Sequence, residues 1–136
     1  MTVTIDLNVI LDMFLKRGEY AAALELLTLC KDGKLKGNIP SHGLPTIYYV
    51  IRKQKGHEEA IWAIKYLLEF LDVIPVGLET TRRASNANFG DFEDAIVAQA
   101  AKESGSAYII TSNTKDFLLS NVSAISPELF LRKFFG

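Results

Sequence analysis

Short β-favouring runs alternate with segments of helical period along the whole chain, and this alternation restricts the fold more than any other feature of the sequence. Thr2 to Ile5 is a β-branched run that ends at Asp6, after which Leu7 to Phe14 changes to helical spacing and stops near Gly18. Glu19 to Lys31 sets Ala23, Leu24, Leu27 and Cys30 along one helical face, and Ser41 is placed to cap a further helix that runs to Lys55 with Pro45 in its first turn. His57 to Leu71 aligns Ile61, Ile64, Leu68 and Leu71. A short apolar strand follows over Val73 to Val76, and Glu79 to Ala87 is a weaker helix. Asp91 can cap a helix over Phe92 to Ser104 that stops at Gly105. Ala107 to Thr111 then reads as a buried strand, and Ser126-Pro127 opens a last helix toward Phe135. Strands and helices in alternation, joined by short connections, point to one α/β domain over residues 1–136 around a mainly parallel sheet.

Composition sets the outer limits. A chain of 136 residues with 49% hydrophobic content can fill one core. Lys and Arg number 15 against 16 Asp and Glu, so any attraction to nucleic acid must come from local patches or a bound cation. The single cysteine, Cys30, lies in an apolar helical run and reads as a core filler. Lys65, Glu69 and Asp72 interrupt the longest apolar stretch, and the N-terminus lacks a basic segment followed by an apolar one. No membrane span is expected, and the cytoplasm is the expected location.

In a parallel α/β sheet, ligands bind beyond the carboxyl ends of the strands, so the residues that follow the strands decide the chemistry. Asp6 follows the first strand, Asn113 and Asp116 follow the strand ending at Thr111, and Asp91, Glu93 and Asp94 open the helix before it. Each acid alone can be read as a helix cap: Asp6 before Leu7, Asp91 with Asp94 as a capping box, Asp116 before a short helix over Phe117 to Ser120. Independent caps need not all fall at one sheet edge, however, and crowded carboxylates repel one another unless a cation neutralises them. Oxygen ligands of this kind suit Mg²⁺ or Mn²⁺.

Three passages resemble the PIN domains, a family that includes the ribonuclease toxins of toxin–antitoxin pairs: Val3 to Asp12, Asp91 to Ala101 and Tyr108 to Phe117, in the family's order. The resemblance implies a three-layer, Rossmann-like α/β fold with a mainly parallel central sheet flanked by helices. It also implies metal-assisted hydrolysis of RNA by Mg²⁺ or Mn²⁺. Asp6 corresponds to the family's first metal-ligand aspartate, Asp94 to its third acidic position, and Asp116 or, by another alignment, Asn113 to its fourth. Asn8 and Thr111 match flanking polar positions, and Asp12, Asp91 and Glu93 stand as alternate or supporting ligands. A small antitoxin would be the natural partner and a homodimer the natural state.

The chain departs from the family at its second acidic position, since Ser41-His42-Gly43-Leu44-Pro45-Thr46-Ile47-Tyr48-Tyr49 contains no carboxylate. Thr46 or His42 occupies that neighbourhood, and His42 could serve as ligand, phosphate contact or proton-transfer group, or only as a hydrogen-bonded residue at a helix start. The loss of one negative charge weakens the expected cation site and keeps open a non-catalytic module that binds RNA or protein. A receiver-like phosphoacceptor fits less well, because Gly77-Leu78 rather than an aspartate follows the strand Val73 to Val76. Arg52, Lys53, Lys55, Arg82 and Arg83 are candidates for RNA backbone contacts. Tyr48, Tyr49, Trp62, Tyr66 and Phe70 are expected in the core or between helices.

Overall fold

Period-two alternation in the first strand sets the two faces of the sheet. In β1 (Thr2–Ile5), Val3 and Ile5 enter the large apolar core, whereas Thr4 is buried on the opposite face. There its hydroxyl donates to Asn38 Oδ1 at 2.7 Å and lies 2.7 Å from Ser106 Oγ, so the polar group is satisfied without water. The computed structural model describes residues 1–136 and carries this pattern across five strands. These are β1, β2 (Lys36–Pro40), β3 (Asp72–Ile74), β4 (Tyr108–Ile110) and β5 (Ser123–Ile125), in the order β3-β2-β1-β4-β5 with every pairing parallel.

Seven α-helices cover the sheet: α1 (Leu7–Leu15), α2 (Tyr20–Lys31), α3 (Gly43–Lys55), α4 (His57–Leu68), α5 (Leu78–Ser85), α6 (Phe92–Glu103) and α7 (Pro127–Phe135). Helices α1 to α4 and α7 pack on the face of Val3, Ile5, Ile39 and Ile110, and α6 packs Val97, Ala98 and Ala101 on Ile109 from the other side, with α5 against α6. The α/β domain around a parallel sheet expected from the order of elements, and the three-layer, Rossmann-like form implied by the resemblance, are thus observed. None of the helices is long and apolar enough to cross a membrane.

The core is tight where β2 passes α2. A Cβ on Gly37 would lie 2.8 Å from Cys30 Sγ, 3.0 Å from a Leu71 methyl and 3.1 Å from an Ile5 methyl, so only glycine fits there. Cys30 is buried, and burial pushes its thiol pKa up to about 12, which agrees with its reading as an inert filler.

Several local expectations require correction. Strands β2 and β5 were not legible as strands: Lys-Gly-Asn-Ile-Pro is rich in β-depleted residues, and parallel pairing with β1 and β3 overrides that preference. Ser41 does not cap α3. Its hydroxyl accepts from the Val76 amide at 3.1 Å, and His42 takes the cap position. In α2 the buried face contains Leu26 rather than Leu24, and in α4 it is Ala60, Ala63 and Leu67, leaving Leu68 exposed. Small alanines mark the close helix contact of α4, and a search for large apolar residues passes over them. Trp62 stacks on Tyr66 and meets Phe14 edge-on, giving the expected contact between helices, yet Trp62 and Tyr49 remain largely exposed. The turn after β4 is 3₁₀ over Thr114–Phe117 with Asn113 at its start, so Asp116 lies inside it and does not open a helix.

Candidate metal centre

The strand order reverses at β1, whose neighbours are β2 on one side and β4 on the other, so the carboxyl ends of β1 and β4 form the switch point at which parallel α/β sheets hold ligands. Asp6 stands at that point. Its amide extends the ladder by donating to Ile110 O at 2.9 Å, and its side chain is almost fully buried at 3% exposure. The carboxylate does not cap α1. Instead Oδ2 accepts from Thr111 Oγ1 at 2.9 Å, and Thr111 Oγ1 in turn accepts from the Asn113 amide at 3.0 Å, which fixes the orientation of the hydroxyl. Burial raises the Asp6 pKa, against the Thr111 bond. Glu93 raises it further, and the amides of Asn8 and Leu7 oppose the rise.

The second contribution comes from the start of α6. Asp91 caps the helix by accepting from the Asp94 amide at 2.9 Å, as the spacing predicted. The reciprocal half of the capping box is not made, which leaves the Asp94 carboxylate free. Ligand atoms of Asp91, Glu93 and Asp94 all lie within 4.8 Å of one another. Burial pushes the Asp94 pKa up to about 7, and the charges of Asp91, Glu93, Asp6 and Asp116 add to the effect. The acids from β1, α6 and the 3₁₀ turn therefore share one electrostatic environment, and none of Asp6, Asp91, Asp94 and Asp116 has a Lys or Arg ion-pair partner. Asp91, Asp94, Lys115 and Asp116 line a cleft of about 410 Å³ walled by Phe89, Leu118 and Leu119.

His42 is the residue of the α3 start that reaches this group: its Nε2 lies 2.8 Å from Glu93 Oε2. Thr46 is exposed one turn further along α3. The His42–Glu93 pair spans 51 positions, and nothing local in the sequence signals it. Asn8 is half-buried at the start of α1, and Asp12 is drawn off by Arg17 Nε at 3.0 Å. Arg82 and Arg83 form exposed ion pairs with Glu79 and Glu103 on α5 and α6. A second cleft of about 360 Å³ beside α5 and α6 is lined by Thr80, Glu103 and Ser104. There Glu103 is already bonded by Thr80, Gln99 and Arg83. The oxygen-only, under-neutralised donor set beyond β1 and β4 fits a hard divalent cation.

A family model described as a PIN domain matches residues 2–115. The chain is 28% identical over 137 residues to ribonuclease VapC1 of Aquifex aeolicus (strain VF5), covering 96% of this chain and 94% of that one. Among solved structures, VapBC2 from Rickettsia felis bound to a DNA fragment from its promoter superposes with a TM-score of 0.68 at 20% identity, over 93% of this chain and 98% of that one. VapC20 of Mycobacterium tuberculosis, a toxin that cleaves the sarcin–ricin loop, superposes with a TM-score of 0.64 at 14% identity, over 79% of this chain and 86% of that one.

Proposed function

The chain belongs to the PIN-domain family, and from that premise we propose that it is a divalent-metal-dependent ribonuclease, the toxin of a toxin–antitoxin pair, acting as a single domain in the cytoplasm. The observation that carries this reading is the crowding of carboxylates around Asp94, whose pKa is pushed up to about 7, with no Lys or Arg ion pair to neutralise them. Asp6, Asp94 and Asp116 are the proposed ligands of Mg²⁺ or Mn²⁺, with Asp91, Glu93 and Asn113 beside them. When bound, the cation acidifies water and offsets charge on a phosphodiester, so no Ser, Cys or His nucleophile is needed.

The chain's own residues hold and shape that site. Thr111 fixes one oxygen of Asp6, and Asp91 anchors the start of α6 so that Asp94 faces the cleft it lines with Asp116. Lys115 on the same cleft supplies a cation for a phosphate oxygen, and the walls of Phe89, Leu118 and Leu119 offer apolar contact to a base or ribose. The 28% identical relative named as a ribonuclease supports RNA as the substrate. Similarity of fold to a toxin–antitoxin complex from Klebsiella pneumoniae supports an antitoxin partner, and exposed Leu118, Leu119, Leu129 and Phe135 leave apolar surface for it or for a second copy.

The test is cleavage of labelled RNA with Mg²⁺ or Mn²⁺, in EDTA, and by Asp94→Asn. Cleavage that needs the ion and is lost in the variant is the expected result. RNA that is bound and never cut with either ion would favour the binding module, for which the absence of a carboxylate from the α3 start speaks.

A further inference from the structure

We propose that Glu93 takes the place of the carboxylate that α3 lacks, and that His42 is the positioning residue that holds it there. This inference rests on the metal-dependent reading above. The start of α3 contains no acid from Ser41 to Tyr49, so a carboxylate beside His42 must come from another element, and it comes from α6. Helix α6 offers a surplus: Asp91 is spent on capping, Asp94 faces the cleft, and Glu93 is a third carboxylate whose ligand atom lies within 4.8 Å of both.

His42 fixes the direction of that third carboxylate. It occupies the cap position of α3 but makes no capping bond with its side chain, which reaches across to α6. A carboxylate only accepts, so the 2.8 Å contact has His42 Nε2–H donating to Glu93 Oε2. Nδ1 is buried and has no hydrogen-bond partner, so the ring serves Glu93 alone. With Nε2 as the donor, Nδ1 is left as a lone pair. That is a cheaper atom to leave unbonded than an N–H. A glutamate is long and loses much rotamer freedom on ligation, and a partner that has already fixed one oxygen removes part of that cost while the other oxygen remains free to bind. The bond also ties the starts of α3 and α6, which pack on opposite faces of the sheet.

Mn²⁺ affinity measured by calorimetry tests the proposal without reference to turnover. Glu93→Gln is expected to weaken Mn²⁺ binding about tenfold or more and His42→Ala about tenfold, as removal of an outer partner of a metal ligand does. The double variant is expected to bind no more weakly than Glu93→Gln, because His42 acts only through Glu93. His42→Gln keeps a donor and should recover most of the affinity, and Glu93→Gln carries the test if His42→Ala does not fold. Asp94→Asn is the control for the site itself. If Asp94→Asn loses Mn²⁺ while Glu93→Gln or His42→Ala binds as tightly as wild type, this inference falls and the metal reading stands. The same holds if the two losses simply add. A wild-type chain that does not bind Mn²⁺ overturns both.

Discussion

Replacing Asp94 with asparagine should stabilise the metal-free protein, contrary to the usual effect of changing a buried or half-buried side chain. The carboxylate titrates at about 7 in the folded chain against 3.8 as an ordinary aspartate, so folding favours its protonated form. With the folded pKa raised, the stability it confers is fully present below about pH 4 and is lost as the pH rises through about 7. The full gap corresponds to about 4 kcal/mol at 1.36 kcal/mol per pH unit, and solvent screening of this partly exposed group brings the expected penalty down to about 1–2 kcal/mol. Asparagine keeps the shape and the backbone amide that Asp91 caps, yet carries no charge to repel Asp91, Glu93, Asp6 or Asp116. At pH 8 in EDTA, Asp94→Asn should therefore melt higher than wild type by about 3–8 °C, given about 3–4 °C per kcal/mol for a chain of this size. At pH 4.5 the two should nearly coincide. Adding Mn²⁺ should reverse the order, since only wild type gains the full stabilisation by ligand binding. Thermal melts by circular dichroism at several pH values, with and without Mn²⁺, measure all of this. A variant that melts lower than wild type at pH 8 without metal would refute the reasoning, because the carboxylate would then be serving a structural partner.

Two further changes test the frame around the site. Thr111→Val removes the hydroxyl that donates to the buried Asp6 carboxylate, a bond worth about 1.5–3 kcal/mol. The melting temperature should fall, more at high pH than at low pH, since that bond favours the ionised form; an equal fall across the whole range would mean that the bond does not depend on the charge of Asp6. Gly37→Ala should destabilise by about 1–3 kcal/mol through overpacking, because its Cβ would lie 2.8 Å from Cys30 Sγ. Adding Cys30→Ala should restore part of the loss in a denaturant titration, and strictly additive losses would show that the two sites do not share that space.

Much of this molecule is set by local signals. Strand, acid and helix in succession at Thr2 to Leu15 mark the first unit, and Asp91 and Ser126 cap α6 and α7 where their spacing says they should. Gly105, in the left-handed region at φ +71, follows the end of α6. These features depend on a few neighbouring residues, so one sequence displays them. Contacts between distant segments have no such signature. β2 exists because β1 and β3 pair with it, and Ser41 leaves the cap of α3 because the Val76 amide needs an acceptor. The buried side of α4 is its alanine face because α3 comes close. At the site the same division holds. The sequence by itself named Asp6, Asp91, Glu93, Asp94 and Asp116 as acids that follow strands or open helices, and its resemblance to the PIN domains marked the gap at the start of α3. Only the tertiary structure decided that Thr111 holds Asp6, that Asp12 turns away to Arg17, and that His42 meets Glu93, because a hydrogen bond is fixed by distances of about 3 Å between elements, which residue order does not specify.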